Sequence, residues 1–157
     1  NIVVVDFWAT WCGPCVKALP FVTKVTSDLK DQGVVFLAVN VGEEPEKVKA
    51  FMEKKGWTFT ALSDQDNKVS EAYGVSGIPH TAIIDKEGVV RQVHIGFGPG
   101  NEKKLKTELE ALIAGKDPLA GEKKDDAKHD ADKDDDKDDD KDDAKDMDGG
   151  HDKDGGK

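Results

Sequence analysis

The chain has 157 residues, 23 Lys and Arg against 33 Asp and Glu, a formal net charge of −10 and two cysteines. That length suits one domain of ordinary size. The acidity gives no reason to expect nucleic acid as a partner, and two cysteines are too few for a disulfide framework or a paired-CxxC zinc site. The apolar runs fall short of the ~20 residues a membrane-spanning helix needs.

The first element is the β-branched run Ile2-Val3-Val4-Val5, the pattern of a strand buried on both faces, and Asp6 stands at its end. A helix is predicted from about Gly13, with Pro14 in its first turn and Val16, Leu19, Val22, Val25 and Leu29 on one face. Pro20 should kink it. Val34 to Val41 reads as a second apolar strand. Glu43-Glu44-Pro45-Glu46 then opens a second helix, with Val48, Phe51 and Met52 as its inner stripe, Gly56 as its end and Trp57 packed beneath it. Thr58 to Leu62 reads as a short strand and Asp66 to Tyr73 as a short helix closed by Gly74. Thr81–Ile84 and Val89–Ile95 form a hairpin around Asp85-Lys86-Glu87-Gly88. His94, alternating within the second of these strands, is expected at the surface. A last helix spans about Asn101 to Ala114, with Leu105, Leu109, Leu112 and Ile113 inward. The order β-α-β-α-β-α-β-β-α implies an α/β fold, a central mixed sheet flanked by helices.

Beyond Pro118 the composition changes. From Gly121 onward there are 16 Asp and one Glu against nine Lys, in a repeat of about four residues. Such a segment lacks the apolar surface to offset chain entropy. The expected organisation is therefore a domain over 1–117 and a disordered Asp/Lys-rich tail over 118–157. Asp146-Met147-Asp148-Gly149 and Asp152-Lys153-Asp154-Gly155 echo part of a calcium loop without its first ligand, so a solvated tail is the favoured reading.

Cys12-Gly13-Pro14-Cys15 joins the first strand to the first helix. A thiol attacks a disulfide only as thiolate, and a helix N-terminus offers unpaired N–H groups and the positive dipole end, both of which favour one. Cys12 is assigned the attack on a substrate disulfide and Cys15, one turn deeper, the resolution of the mixed disulfide. The same pair could instead hold copper or zinc together with His80 or a partner.

Val5-Asp6-Phe7-Trp8-Ala9-Thr10-Trp11-Cys12-Gly13-Pro14-Cys15 resembles the active-site segment of thioredoxins, and Val75-Ser76-Gly77-Ile78-Pro79 is similar to the loop that carries their cis-proline. The segment Glu43 to Leu62 resembles the helix–strand insertion of the TlpA/ResA/CcmG group of extracytoplasmic thiol–disulfide oxidoreductases, and Val39-Asn40-Val41-Gly42-Glu43 resembles the stretch where ResA-like proteins carry an active-site glutamate. Peroxiredoxins share the insertion but need Thr and Pro where this chain has Ala9 and Val5. Asp6 is the thioredoxin choice, and His80 stands where Thr is common.

The resemblance implies a thioredoxin fold and a reductase of protein disulfides working through Cys12 and Cys15, with no cofactor beyond that redox-active pair and no metal. It implies protein clients, apocytochrome c among them, an upstream thiol donor, and a periplasmic or membrane-anchored setting in bacteria through a segment before Asn1. A monomer is expected. A general thioredoxin-like reductant is the alternative within the same chemistry. Asp6 is the candidate proton acceptor for Cys15, because burial without a partner raises a carboxyl pKa. Glu43 is a second candidate, although a first-turn helix acid explains it equally. Trp11, Gly13 and Pro14, with Ile78, Pro79 and His80 from the facing loop, form the expected substrate-binding set. There a client would pair like an added strand. Trp8 is expected in the core.

Overall fold

The computed structural model describes residues 1–119. The expected tail therefore lies outside the described residues. In chain order the elements are β1 (Ile2–Trp8), α1 (Gly13–Asp28), a 3₁₀ turn (Lys30–Gln32), β2 (Val34–Val41), α2 (Pro45–Lys55), β3 (Ala61–Asp64), α3 (Lys68–Ala72), β4 (His80–Ile84), β5 (Val90–Ile95) and α4 (Asn101–Ile113).

β1 lies at the centre of a five-stranded sheet ordered β3-β2-β1-β4-β5. It pairs in parallel with β2 and antiparallel with β4. β3 adds in parallel to β2, and β5 closes the hairpin on β4. The central position explains why β1 is apolar at nearly every residue: neither face meets water. Ile2 and Val4 pack with Val22, Val25 and Leu29 of the α1 side and with Leu105 and Leu109 of α4. Further along the same face, Trp8 meets Cys15 and Leu19. On the opposite face Val5, Phe7 and Val39 pack with Val75 and Ile78. α1 and α4 thus cover one face, the one that carries the cysteines.

Element boundaries differ from expectation at β1 and β3. β1 runs on through Phe7 and Trp8, which places Asp6 inside the strand rather than at its end. β3 begins at Ala61, whereas Thr58 to Leu62 was the expected span. Trp57 and Phe59 instead join Trp8 and Phe51 in an aromatic cluster, with ring centroids 5.3–6.3 Å apart, and only after it does the chain enter the ladder. At the far end of β3, the Asp64 carboxylate accepts the N–H groups of Val69 and Ser70 and so caps α3 from outside it. α1 continues as one helix from Gly13 to Asp28 with Pro20 inside it, on its exposed side. The β4–β5 turn is held by Asp85, which accepts the N–H groups of Glu87 and Val89 and pairs with Arg91. Gly88 there adopts φ 83°, a left-handed conformation natural to glycine.

Candidate active site

Cys12 and Cys15 are joined as a disulfide, with Cα atoms 5.3 Å apart. Cys12 is the N-cap of α1, and its sulfur accepts the Cys15 backbone N–H at 3.2 Å. In the reduced protein the same N–H and the helix dipole point at the Cys12 sulfur, an arrangement that stabilises negative charge there. Cys15 is fully buried, and Cys12 is 5% exposed. Around Cys12 the surface is open: Trp11 is 69% exposed, and Gly13 and Pro14 are exposed beside it. The Cys12 sulfur lies 3.8 Å from the carbonyl oxygen of Ile78, whose bond to Pro79 is cis. The structure thus brings Trp11, Gly13, Pro14, Ile78 and Pro79 together around Cys12.

Asp6 is completely buried on the sheet face that α1 covers. Its Oδ1 accepts the Thr81 hydroxyl at 2.5 Å, and Oδ2 has no partner. Burial pushes its carboxyl up to about 7, with the Thr81 hydroxyl pulling modestly the other way. A carboxyl poised near neutrality can both take and return a proton at working pH.

Glu43 meets the opposite environment. Its side chain is buried, which alone would raise its pKa, but four donors outweigh that: Lys47, the Thr10 hydroxyl, the Thr10 N–H and the Asn40 amide, all at 2.6–2.9 Å. The carboxylate is held down at about 2. It is therefore a fixed anion and a poor base, which corrects its expected role as an alternative proton acceptor. What it does is tie Thr10, two residues before Cys12, to β2 and α2.

His80 also departs from expectation. It is 3% exposed, and its ring stands edge-on to Phe7 with centroids 5.7 Å apart. Thr81 reaches Asp6 on one face of the sheet, so His80, the preceding strand residue, points to the other. Both ring nitrogens lack partners, and burial lowers its pKa. It meets neither solvent nor the cysteine pair, so neither a substrate contact nor a third metal ligand is available from it. His94, expected at the surface, is mostly covered, and its Nε2 lies 2.6 Å from Glu108 Oε2. Among the described residues no cluster of three His, Cys, Asp or Glu side chains suits a metal ion.

Thr81, Thr10 and Asn40 carry no signal of their own in the sequence. Each is a short polar residue beside apolar ones, and its importance comes from a carboxylate brought to it across 75, 33 or three positions. Only a register between β1 and β4 could have singled out Thr81, which stands directly opposite Asp6.

Comparison with known proteins agrees with this arrangement. The family model described as Redoxin matches residues 1–109. Two relatives named thiol-disulfide oxidoreductase ResA are similar. The one from Geobacillus thermodenitrificans is 38% identical over 110 residues, 70% of this chain and 62% of the relative. The one from Bacillus subtilis is 43% identical over 94 residues, 60% and 52% respectively. The chain thus spans 62% or less of the length of these two relatives. A solved structure assigned as thiol:disulfide interchange protein DsbE from Chlorobium tepidum superposes with a TM-score of 0.68 at 31% identity, over 72% of this chain and 80% of that one. Fold, cysteine geometry and similarity together place the chain in the Redoxin family, as a ResA-like member of the thioredoxin superfamily.

Proposed function

We propose that the protein is a thiol–disulfide oxidoreductase that reduces protein disulfides. The observation that carries this reading is the Cys12 sulfur, set at the N-terminus of α1 beside an exposed Trp11 and the Ile78 carbonyl, with its partner Cys15 fully buried behind it. In the reduced enzyme the Cys12 thiolate attacks one sulfur of a client disulfide, and the other client sulfur leaves as thiolate. Cys15 gives its proton to the Asp6 carboxylate and attacks the Cys12 sulfur. The second client sulfur departs, and the Cys12–Cys15 disulfide remains. An upstream dithiol must then reduce that disulfide and restart the cycle.

The similarity to proteins named ResA and DsbE supports an extracytoplasmic bacterial setting, with apocytochrome c among the clients and a thiol donor upstream. The general chemistry is tested with Cys15→Ser and a protein disulfide such as insulin. The account expects a covalent one-to-one adduct through Cys12, visible by mass and released by dithiothreitol. An adduct that forms equally in Cys12→Ser, or in neither variant, contradicts it.

A further inference from the structure

A proton taken up by Asp6 has to leave again. Asp6 is completely buried, and its one hydrogen-bond partner is Thr81. Thr81 is itself covered, but it stands directly opposite His94 in the β4–β5 ladder. Opposed residues have Cβ atoms roughly 4.5–5.5 Å apart on one sheet face. Thr81 and His94 line one small cavity of about 20 Å³, walled by Ala18, Val22, Pro79 and Leu105. That volume holds roughly one water molecule. The His94 side chain is 18% exposed and so reaches solvent.

His94 is also oriented. Its Nε2 lies 2.6 Å from Oε2 of Glu108, a buried carboxylate on α4, and Lys104 Nζ stands 4.0 Å from the other carboxylate oxygen. Nε2 is thereby committed to Glu108, which leaves Nδ1 as the ring nitrogen for a hydrogen bond with water. Glu102 is the remaining charged residue among those that wall the cavity.

We propose that Thr81 and His94 form the proton path between Asp6 and solvent, with one water in the cavity between them. The path rests on the disulfide-reductase reading above. When Cys15 attacks, its thiol proton passes to Asp6. With its hydroxyl turned from Asp6 to the bridging water, Thr81 passes its own proton to that water and takes the Asp6 proton on its oxygen. The water passes one proton to His94 Nδ1, and the ring, 18% exposed, releases it from Nδ1 to bulk water. Asp6 and Thr81 end as they began, and no electron moves along the path. Re-reduction runs it in reverse and returns a proton to Cys15. Thr81 and His94 are positioning residues, since neither touches the reacting sulfurs.

The test uses the full chain and insulin as disulfide substrate, with formation and resolution of the mixed disulfide followed separately. His94→Gln keeps a donor for Glu108 and leaves the Asp6–Thr81 bond intact, but it cannot carry a proton. It is expected to form the adduct at the normal rate and to resolve it roughly 10–100-fold more slowly at pH 7. Added imidazole buffer should restore that step in the variant and leave the parent unchanged. Thr81→Val should slow resolution similarly, and Thr81→Ser should not. Parent-like resolution in both His94→Gln and Thr81→Val overturns the path. A slowing that imidazole does not relieve also overturns it, because it marks a structural role. A parent chain that fails to reduce insulin overturns the proposed function itself, and the path with it.

Discussion

Asp6 is the residue where chemistry and stability conflict most directly. Its pKa of about 7 in the folded chain lies well above the 3.8 of an ordinary aspartate. Between those values the folded state holds a proton that the unfolded chain has released, so the Asp6 contribution to stability is greatest below about pH 4 and is lost as pH rises through 7. The loss by pH 8 is on the order of 4 kcal/mol, the magnitude that burying an uncompensated carboxylate implies. Asp6→Asn keeps an acceptor for the Thr81 hydroxyl and removes the charge. It should unfold at higher denaturant than the parent at pH 8, and the advantage should vanish near pH 4. The same variant should resolve mixed disulfides roughly 10²-fold more slowly at pH 7, which separates a base from a merely buried group. Equal stability of the two chains at pH 8 would contradict the burial argument. The burial expected of this residue was legible in the sequence from the apolar run before it, although its place inside β1 rather than at its end was not. Its partner was not: Thr81 reads as one more β-branched strand residue until the register is known.

At the scale of elements, the cysteine loop is positioned from two sides. Glu43 holds Thr10 by its amide and its hydroxyl, and Asn40 and Lys47 complete the ring of donors. Glu43→Gln leaves one or more of these donors facing an amide, and it should cost about 1–3 kcal/mol. Its specific signature is faster hydrogen exchange at the Thr10 amide, with core amides of β1 changed only by the global loss of stability. The inserted α2 also anchors the aromatic cluster beneath it. Trp8 is fully buried against Phe51, Trp57 and Phe59. Trp8→Ala should therefore cost about 3–5 kcal/mol by calorimetry or denaturant unfolding. Most elements were legible because their periodicity agrees with their packing, as in α4 with Leu105 and Leu109 inward. The start of β3 was not, because Phe59 looks like a strand residue yet satisfies its apolar surface in the cluster, and the ladder waits until Ala61. Glu43 was left open between two readings for a related reason: an acid just before a helix looks the same in sequence whether it faces water or four donors.

At the scale of the molecule, the order of strands converts a local cysteine motif into a redox site. β1 delivers Asp6 and the Cys12 loop, β4 delivers Ile78, Pro79 and Thr81 from its start, and α1 supplies the positive helix end. Their convergence follows from the antiparallel pairing of β1 with β4, which sets Asp6 opposite Thr81. His80 shows the limit of reading such convergence from sequence. It neighbours Pro79 in the chain, yet strand alternation sends it to the far face. The central claim is that this convergence makes a reductant of protein disulfides. The reduction potential of the Cys12–Cys15 couple, equilibrated in defined thiol buffers, tests it most directly. The account predicts a reversible two-electron couple near about −270 mV, as strongly reducing thioredoxin-type sites show. A value near about −120 mV would mark an oxidant and contradict it.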